Sequence, residues 1–150
     1  FVDYPTKEQE LEIMRRISSM QFGYEVNTIL TKEDIFAIRE EVNKVKISES
    51  LERYIIELVT ATRKPKEYNL VHEAQYIQFG ASPRASINLN LSAKAVAYFE
   101  GRDYVLPEDI KEVALDVMNH RILLNYEAEA DNVKTSDIIK VLLNKVPISK

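Results

Sequence analysis

The sequence predicts a mainly α-helical domain, a helical bundle of about five to six helices that carries one small two-stranded β ribbon. Two observations lead to this prediction. Apolar residues recur every three or four positions along most of the 150-residue chain, as they do on one face of a helix. Only three glycines and five prolines interrupt the chain, fewer than a turn-rich β architecture would need.

Three capping patterns predict the helices of the first half. Thr6 with Gln9, and Thr31 with Asp34, have the spacing of a capping box, in which each side chain accepts a backbone N–H from the other residue. Ser48 is a suitable N-cap for a third helix. The apolar periodicity after each cap predicts helices over residues 7–20, 32–44 and 49–63.

The middle of the chain predicts a linker and a short strand. Residues 64–75 are polar and lack periodicity, so we expect an irregular linker and the most mobile segment of the chain. Residues 76–79 then alternate between apolar and polar side chains up to Gly80, as a short strand would. Residues 121–124 are the expected partner strand.

A central helix is predicted over residues 85–99. Ser82 is a good N-cap for it, Pro83 suits its first position, and Gly101 can end it. The alternation over residues 87–91 also fits a strand, but the alanines nearby favour a helix. Because apolar residues surround most of this helix, we expect other helices to cover it.

Two further helices complete the prediction. Pro107 opens one that ends near Asn119, with Glu108 and Asp109 near its positive end. Thr135 or Ser136 is the expected cap of the last helix.

Composition and charge exclude several functions. The absence of cysteine excludes disulfides and thiolate zinc sites, and it suits a cytoplasmic protein. A net charge of −4 argues against nucleic-acid binding. No apolar run approaches the roughly 20 residues of a membrane helix, so no membrane insertion is expected. His72 and His120 stand in no metal-binding pattern, so we predict no metal site.

Arg84 has the strongest claim to chemistry. The start of a helix carries about half a positive charge, so an arginine in its first turn costs up to about 1 kcal/mol unless an anion lies between the two. A phosphate would meet both the guanidinium and the first-turn N–H groups, and Gly80, Ala81 and Ala85 would leave room for it. The alternative is that Arg84 reaches solvent or a carboxylate on a neighbouring helix.

Residues 80–84, Gly-Ala-Ser-Pro-Arg, resemble the motif that begins the lid helix of the MoxR branch of AAA+ ATPases. Further similar segments extend the resemblance over nearly the whole chain: Tyr4-Pro5, residues 101–105, residues 107–109 and His120-Arg121. One departure is Leu106, where such lids commonly place Thr or Ser as an N-cap. Losing that cap is expected to weaken the helix by roughly 0.5–2 kcal/mol.

The resemblance implies a C-terminal lid subdomain over residues 6–150, with residues 1–5 as a remnant of the last strand or linker of an upstream AAA+ core. Arg84 would be the sensor-2 residue that reaches the γ-phosphate of ATP, with Ala81, Ser82 and Pro83 close to the nucleotide. ATP and Mg²⁺ would bind to the full-length parent and not tightly to this chain. The sequence contains no G-x-x-x-x-G-K-[ST] phosphate loop and no strand that ends in paired acids, so the chain alone is not expected to hydrolyse ATP.

The implied partners are the upstream core, neighbouring subunits of a ring homo-oligomer and a von Willebrand factor A domain protein, in chaperone-like remodelling. Two alternatives stay open. One is the lid of a magnesium-chelatase-like AAA+ subunit. The other is a helical interaction module that binds a protein partner through an exposed groove and never meets nucleotide.

Overall fold

The computed structural model describes residues 4–18 and 27–148, and helices dominate these ranges. The described helices are α1 (Lys7–Ser18), α2 (Lys32–Lys44), α3 (Glu49–Arg63), α4 (Val71–Ala74), α5 (Pro83–Phe99), α6 (Pro107–Met118), α7 (Tyr126–Ala130) and α8 (Thr135–Lys145). Two strands, β1 (Ile77–Phe79) and β2 (Leu123–Leu124), pair antiparallel. The predicted fold class is therefore confirmed. No helix in these ranges is long and apolar enough to cross a membrane.

The chain divides into two compact units, one up to Phe36 and one from Ala37 onward. The first unit contains α1 and the start of α2, and both predicted capping boxes are formed. The Thr6 N–H donates to Gln9 Oε1 at 2.9 Å, and the Gln9 N–H donates to Thr6 Oγ1 at 3.3 Å. The same exchange joins Thr31 and Asp34 at 2.8 and 3.1 Å. Of the predicted range 7–20, residues 19 and 20 lie outside the described residues, as do residues 1–3 of the predicted core remnant.

The second unit has its core among α3, α5, α6 and α8. Ser48 caps α3 as predicted, since its hydroxyl accepts the Leu51 N–H. The apolar stripes of these helices supply the largest fully buried side chains, which include Tyr54, Leu58, Leu89, Ile110 and Leu142. The apolar residues whose periodicity predicted these helices are therefore the ones that the helices bury against one another.

The expectation that other helices cover α5 is correct for one face only. Its contacts are mainly with α6 and α3, where Ala85, Leu89, Ala93 and Ala97 are completely buried. The small alanine side chains let neighbouring helices approach closely on that face. The apolar residues on the other side of α5 remain exposed, and they include Ile87, Leu91 and Phe99.

The irregular linker predicted over residues 64–75 is wrong. It folds into a 3-10 turn (Pro65–Tyr68) followed by α4. Leu70 is completely buried, and the Tyr68 hydroxyl donates a hydrogen bond to the Glu57 carboxylate on α3. These anchors lie too far apart in the sequence to produce a periodic pattern. The expected mobility of the segment stays a prediction.

The last two helices, α7 and α8, also differ from the prediction. α8 begins at Thr135, so its N-cap is Lys134 and neither Thr135 nor Ser136. Asp137 compensates for the missing cap, because its carboxylate accepts the Lys134 N–H at 3.2 Å. The sequence pattern missed α7, which Asn125 caps by accepting the Ala128 N–H at 3.1 Å.

Candidate functional site

Gly80 lies directly against the end of α3. A Cβ atom at this position would stand 2.4 Å from the Thr62 carbonyl oxygen and 2.7 Å from the Arg63 backbone nitrogen, which is too close for any side chain. Only glycine lets the two backbones approach this closely. The space at Gly80 is therefore filled by α3, contrary to the expectation that it leaves room for an anion.

Thr62 holds the next residue of the motif. The Ala81 N–H donates to Thr62 Oγ1 at 2.8 Å, and the Thr62 hydroxyl in turn donates to the Val59 carbonyl at 2.7 Å. Thr62 and Ala81 are both completely buried. Ala81 therefore supports the site from beneath, since its N–H is already used and its side chain does not reach the surface. Sequence reasoning missed this role of Thr62, for which the available signal is a threonine within an apolar helical stripe.

Ser82 and Pro83 begin α5 at the protein surface. Ser82 has the extended backbone of an N-cap, and its carbonyl accepts the Ala85 N–H at 2.9 Å. Its predicted position is thus correct, but its hydroxyl makes no capping hydrogen bond. Pro83 has no N–H to offer. The first turn consequently leaves the Arg84 N–H and the Ser82 hydroxyl without partners among the residues that the structure describes.

The Arg84 side chain is exposed. Across residues 4–18 and 27–148, no carboxylate pairs with it and no hydrogen bond involves its guanidinium. The alternative named solvent or a carboxylate on a neighbouring helix: the structure shows no such carboxylate among the described residues, and the side chain reaches solvent. A free guanidinium fork, a free N–H and a free hydroxyl at one helix start are groups that suit an oxyanion such as phosphate.

A basic cleft of about 330 Å³ lies beside this segment, between the end of α3 and β1. Its lining includes Gly80, Arg63, Lys64 and Lys66. Glu67 also lines the cleft, and it pairs with Lys64 at 3.1 Å. Because Arg63 and Lys66 remain, the cleft keeps a surplus of positive charge. That surplus adds to the favourable environment for an anion near the start of α5.

The turn between α5 and α6 contains a second arginine, Arg102, and this one is paired with Asp109 in the first turn of α6. Arg102 donates to both carboxylate oxygens of Asp109, at 2.8 and 2.6 Å, and also to the Tyr104 carbonyl at 3.0 Å. Hydrogen bonding from Arg102 is the largest cause that lowers the pKa of Asp109 below its usual range, with a smaller contribution from the Leu106 N–H. Arg102 and Asp109 therefore hydrogen-bond to each other within the fold.

Asp109 also corrects the expectation for Leu106. A leucine has no side-chain acceptor, but the Asp109 carboxylate accepts the Leu106 N–H at 2.7 Å. Half of a capping box is therefore kept, supplied from the third residue of the helix. The resulting helix starts at Pro107 as predicted and ends at Met118.

Metal-binding geometry is not found within the described ranges, where no three His, Asp or Glu side chains cluster closely enough to hold an ion. His72 instead lies beside the Tyr76 ring, with ring centroids 5.4 Å apart.

The chain is similar to known AAA+ proteins in sequence and structure. Residues 71–142 match the model of the AAA lid domain family. Chaperone MoxR1 of Mycobacterium tuberculosis is 35% identical over 147 residues, covering 98% of this chain and 38% of the relative. Protein MoxR of Paracoccus denitrificans is 42% identical over 82 residues, covering 52% of this chain and 24% of the relative.

A solved structure has the same fold. A Cytophaga hutchinsonii protein assigned as an ATPase superposes with a TM-score of 0.82 at 62% identity, over 99% of this chain and 45% of that chain. The present chain thus spans less than half the length of the relatives that match most of it. Together with the helical fold and the Gly80–Arg84 segment, these similarities show that the chain belongs to the MoxR-type AAA+ ATPases and forms their lid region.

Proposed function

We propose that this chain is a nucleotide-sensing lid in which Arg84 acts as the sensor-2 residue of a longer ATPase. The observation that carries the proposal is the unpaired, exposed Arg84 at the start of α5, on a segment that Gly80 and Thr62 hold against α3. An arginine can bind a phosphate in a fixed position if its backbone is held by buried contacts and its guanidinium is unpaired. This role also makes the family resemblance and the local geometry consistent with one another.

ATP and Mg²⁺ would be bound mainly by a core outside this chain. In that complex the γ-phosphate would receive the Arg84 guanidinium, with the Arg84 N–H and the Ser82 hydroxyl as further donors at the same helix start. Pro83 would keep the first turn in place. The AAA+ assignment supports assembly into an oligomer, and we propose a ring in the cytoplasm in which the lid converts nucleotide state into movement.

The client process and the partner are proposed from the names of the relatives and from the family resemblance. MoxR1 is described as a chaperone, so we propose chaperone-like remodelling for the parent of this chain. A von Willebrand factor A domain protein is the proposed partner, and a magnesium-chelatase-like lid is the alternative within the AAA+ class.

The test is the Arg84→Ala variant of the full-length parent. We expect ATP turnover to fall by about 10²-fold, as when one positioned donor to a transition state is removed. Arg84→Lys is expected to recover only part of the loss, because an ammonium cannot reproduce the guanidinium fork. The matched control is Arg39→Ala, which removes another exposed helical arginine and is expected to leave turnover unchanged. Unchanged turnover and unchanged nucleotide affinity in Arg84→Ala would reject the proposal.

A further inference from the structure

The first turn of α5 forms without a side-chain bond from its own N-cap residue. The Ser82 hydroxyl makes no capping hydrogen bond, and Pro83 has no N–H. An N-cap side chain normally fixes the path by which the chain enters a helix, because it binds an N–H of the first turn. The entry into α5 is therefore fixed by a contact from another element.

Thr62 supplies this contact from α3. Its hydroxyl oxygen accepts the Ala81 N–H at 2.8 Å, from a residue 19 positions away in the sequence. The same hydroxyl donates its one proton to the Val59 carbonyl at 2.7 Å, which leaves its lone pairs for Ala81. Within the residues that the structure describes, no other hydrogen bond joins residues 80–83 to α3. The placement of this segment against α3 thus depends on one hydroxyl group.

Burial makes this hydrogen bond hard to replace. Thr62 and Ala81 are completely buried, so water does not reach the Ala81 N–H in the folded chain. A buried N–H without an acceptor favours any movement that brings it to a partner. Because Gly80 packs against the backbone of Thr62 and Arg63, the segment can move only away from α3. Loss of the hydroxyl is therefore expected to displace the chain that leads into Arg84.

We propose that Thr62 is a positioning residue for Arg84, whose hydroxyl determines where the first turn of α5, and with it the guanidinium, lies relative to α3. This inference rests on the proposed function, because it concerns how accurately Arg84 meets a phosphate. Thr62 is completely buried and cannot contact a ligand itself, so it acts through the backbone of residues 81–84. A displacement of about 1 Å in a group that acts on the transition state can lower the rate by about 10²-fold.

The first experiment compares Thr62→Val and Thr62→Ser in the full-length parent. Valine has nearly the shape of threonine but no acceptor, whereas serine keeps the hydroxyl and loses the methyl group. We expect Thr62→Val to lower kcat for ATP hydrolysis about tenfold with KM nearly unchanged, as when transition-state binding is lost. Thr62→Ser is expected to retain most of the wild-type kcat. Thr60→Val is the matched control on α3, since the Thr60 hydroxyl hydrogen-bonds to Arg63, and its kcat is expected to be unchanged.

The second experiment is a double-mutant cycle that shows whether Thr62 acts through Arg84. Once Arg84→Ala has removed the guanidinium, its placement no longer matters, so adding Thr62→Val is expected to cause no further loss of kcat. The melting temperature behaves differently, because the Ala81 N–H loses its acceptor in both backgrounds. We expect Thr62→Val to lower it by the same amount with and without Arg84. A purely structural role would instead lower kcat by the same factor in both backgrounds.

The outcomes separate this inference from the proposed function. If Arg84→Ala loses turnover while Thr62→Val keeps the wild-type kcat, the positioning role is wrong and the sensor role stands. Equal losses of kcat with and without Arg84 would also overturn the positioning role. If Thr62→Val does not fold, Thr62→Cys replaces it, because a thiol is a weak acceptor of similar size. Its kcat is expected to lie between those of Arg84→Ala and the wild type, and a wild-type value overturns the inference. If Arg84→Ala keeps full turnover, the proposed function fails, and the positioning role fails with it.

Discussion

The first turn of α5 and the turn that precedes α6 each contain an arginine, and the two differ in what holds them. Arg102 is paired through both carboxylate oxygens with Asp109, which is only 3% exposed. Arg84 has no such partner in the described part of the chain, although Gly80 in the same segment packs directly against the end of α3. An arginine whose partner is built into the fold stabilises the fold. An arginine without one keeps its guanidinium exposed, as the proposed sensor role of Arg84 requires.

The largest expected effect comes from breaking the internal pair. Asp109→Ala leaves Arg102 and the Leu106 N–H without an acceptor, so we expect the free energy of unfolding of the 150-residue chain to fall by about 3 kcal/mol. Urea denaturation followed by circular dichroism measures it. A loss below about 0.5 kcal/mol would show that the pair contributes little.

The pH dependence of stability gives a control for this prediction. The folded-state pKa of Asp109 is lowered, so its stabilising contribution is present above the unfolded-state pKa of about 3.9 and is lost as the pH falls through the lower folded-state value. The wild-type chain is therefore expected to lose stability more steeply below about pH 4 than Asp109→Ala. Equal slopes for the two chains would contradict the assignment.

An intermediate effect is expected from the support beneath Arg84. In Gly80→Ala the new Cβ atom would clash with the backbone of Thr62 and Arg63, so we expect a loss of about 2 kcal/mol in the free energy of unfolding. Gly101→Ala is the matched control. Gly101 has a φ of +71° and open space around its Cβ position, so that only the left-handed backbone opposes the change, at about 1 kcal/mol. A smaller loss in Gly80→Ala than in Gly101→Ala would contradict the packing argument.

The smallest expected effect is that of Arg84→Ala on stability. Since the side chain is exposed and unpaired, the free energy of unfolding should change by less than about 0.5 kcal/mol. The same urea denaturation measures it in parallel with Asp109→Ala. A large loss would mean that Arg84 has a structural role, and the contrast between the two arginines would disappear.

Capping patterns predicted helices well where the cap is local. The boxes at Thr6 and Thr31 and the cap at Ser48 all form, because each joins residues only three positions apart. Ser82 and the start of α8 show the limit of this reasoning. Ser82 occupies the N-cap position without a side-chain bond, and Lys134 takes the cap position of α8 while Asp137 supplies the acceptor.

By itself, the sequence determined the helix periodicities, the position of the β ribbon and the presence of an arginine in the first turn of α5. These depend on side chains within one or two helical turns of each other, so a linear pattern contains them. Only the tertiary structure decided that Thr62 accepts the Ala81 N–H, that Asp109 pairs with Arg102, and that one apolar side of α5 stays exposed. Those outcomes depend on which surfaces meet after the helices pack, and residues distant along the chain determine that packing.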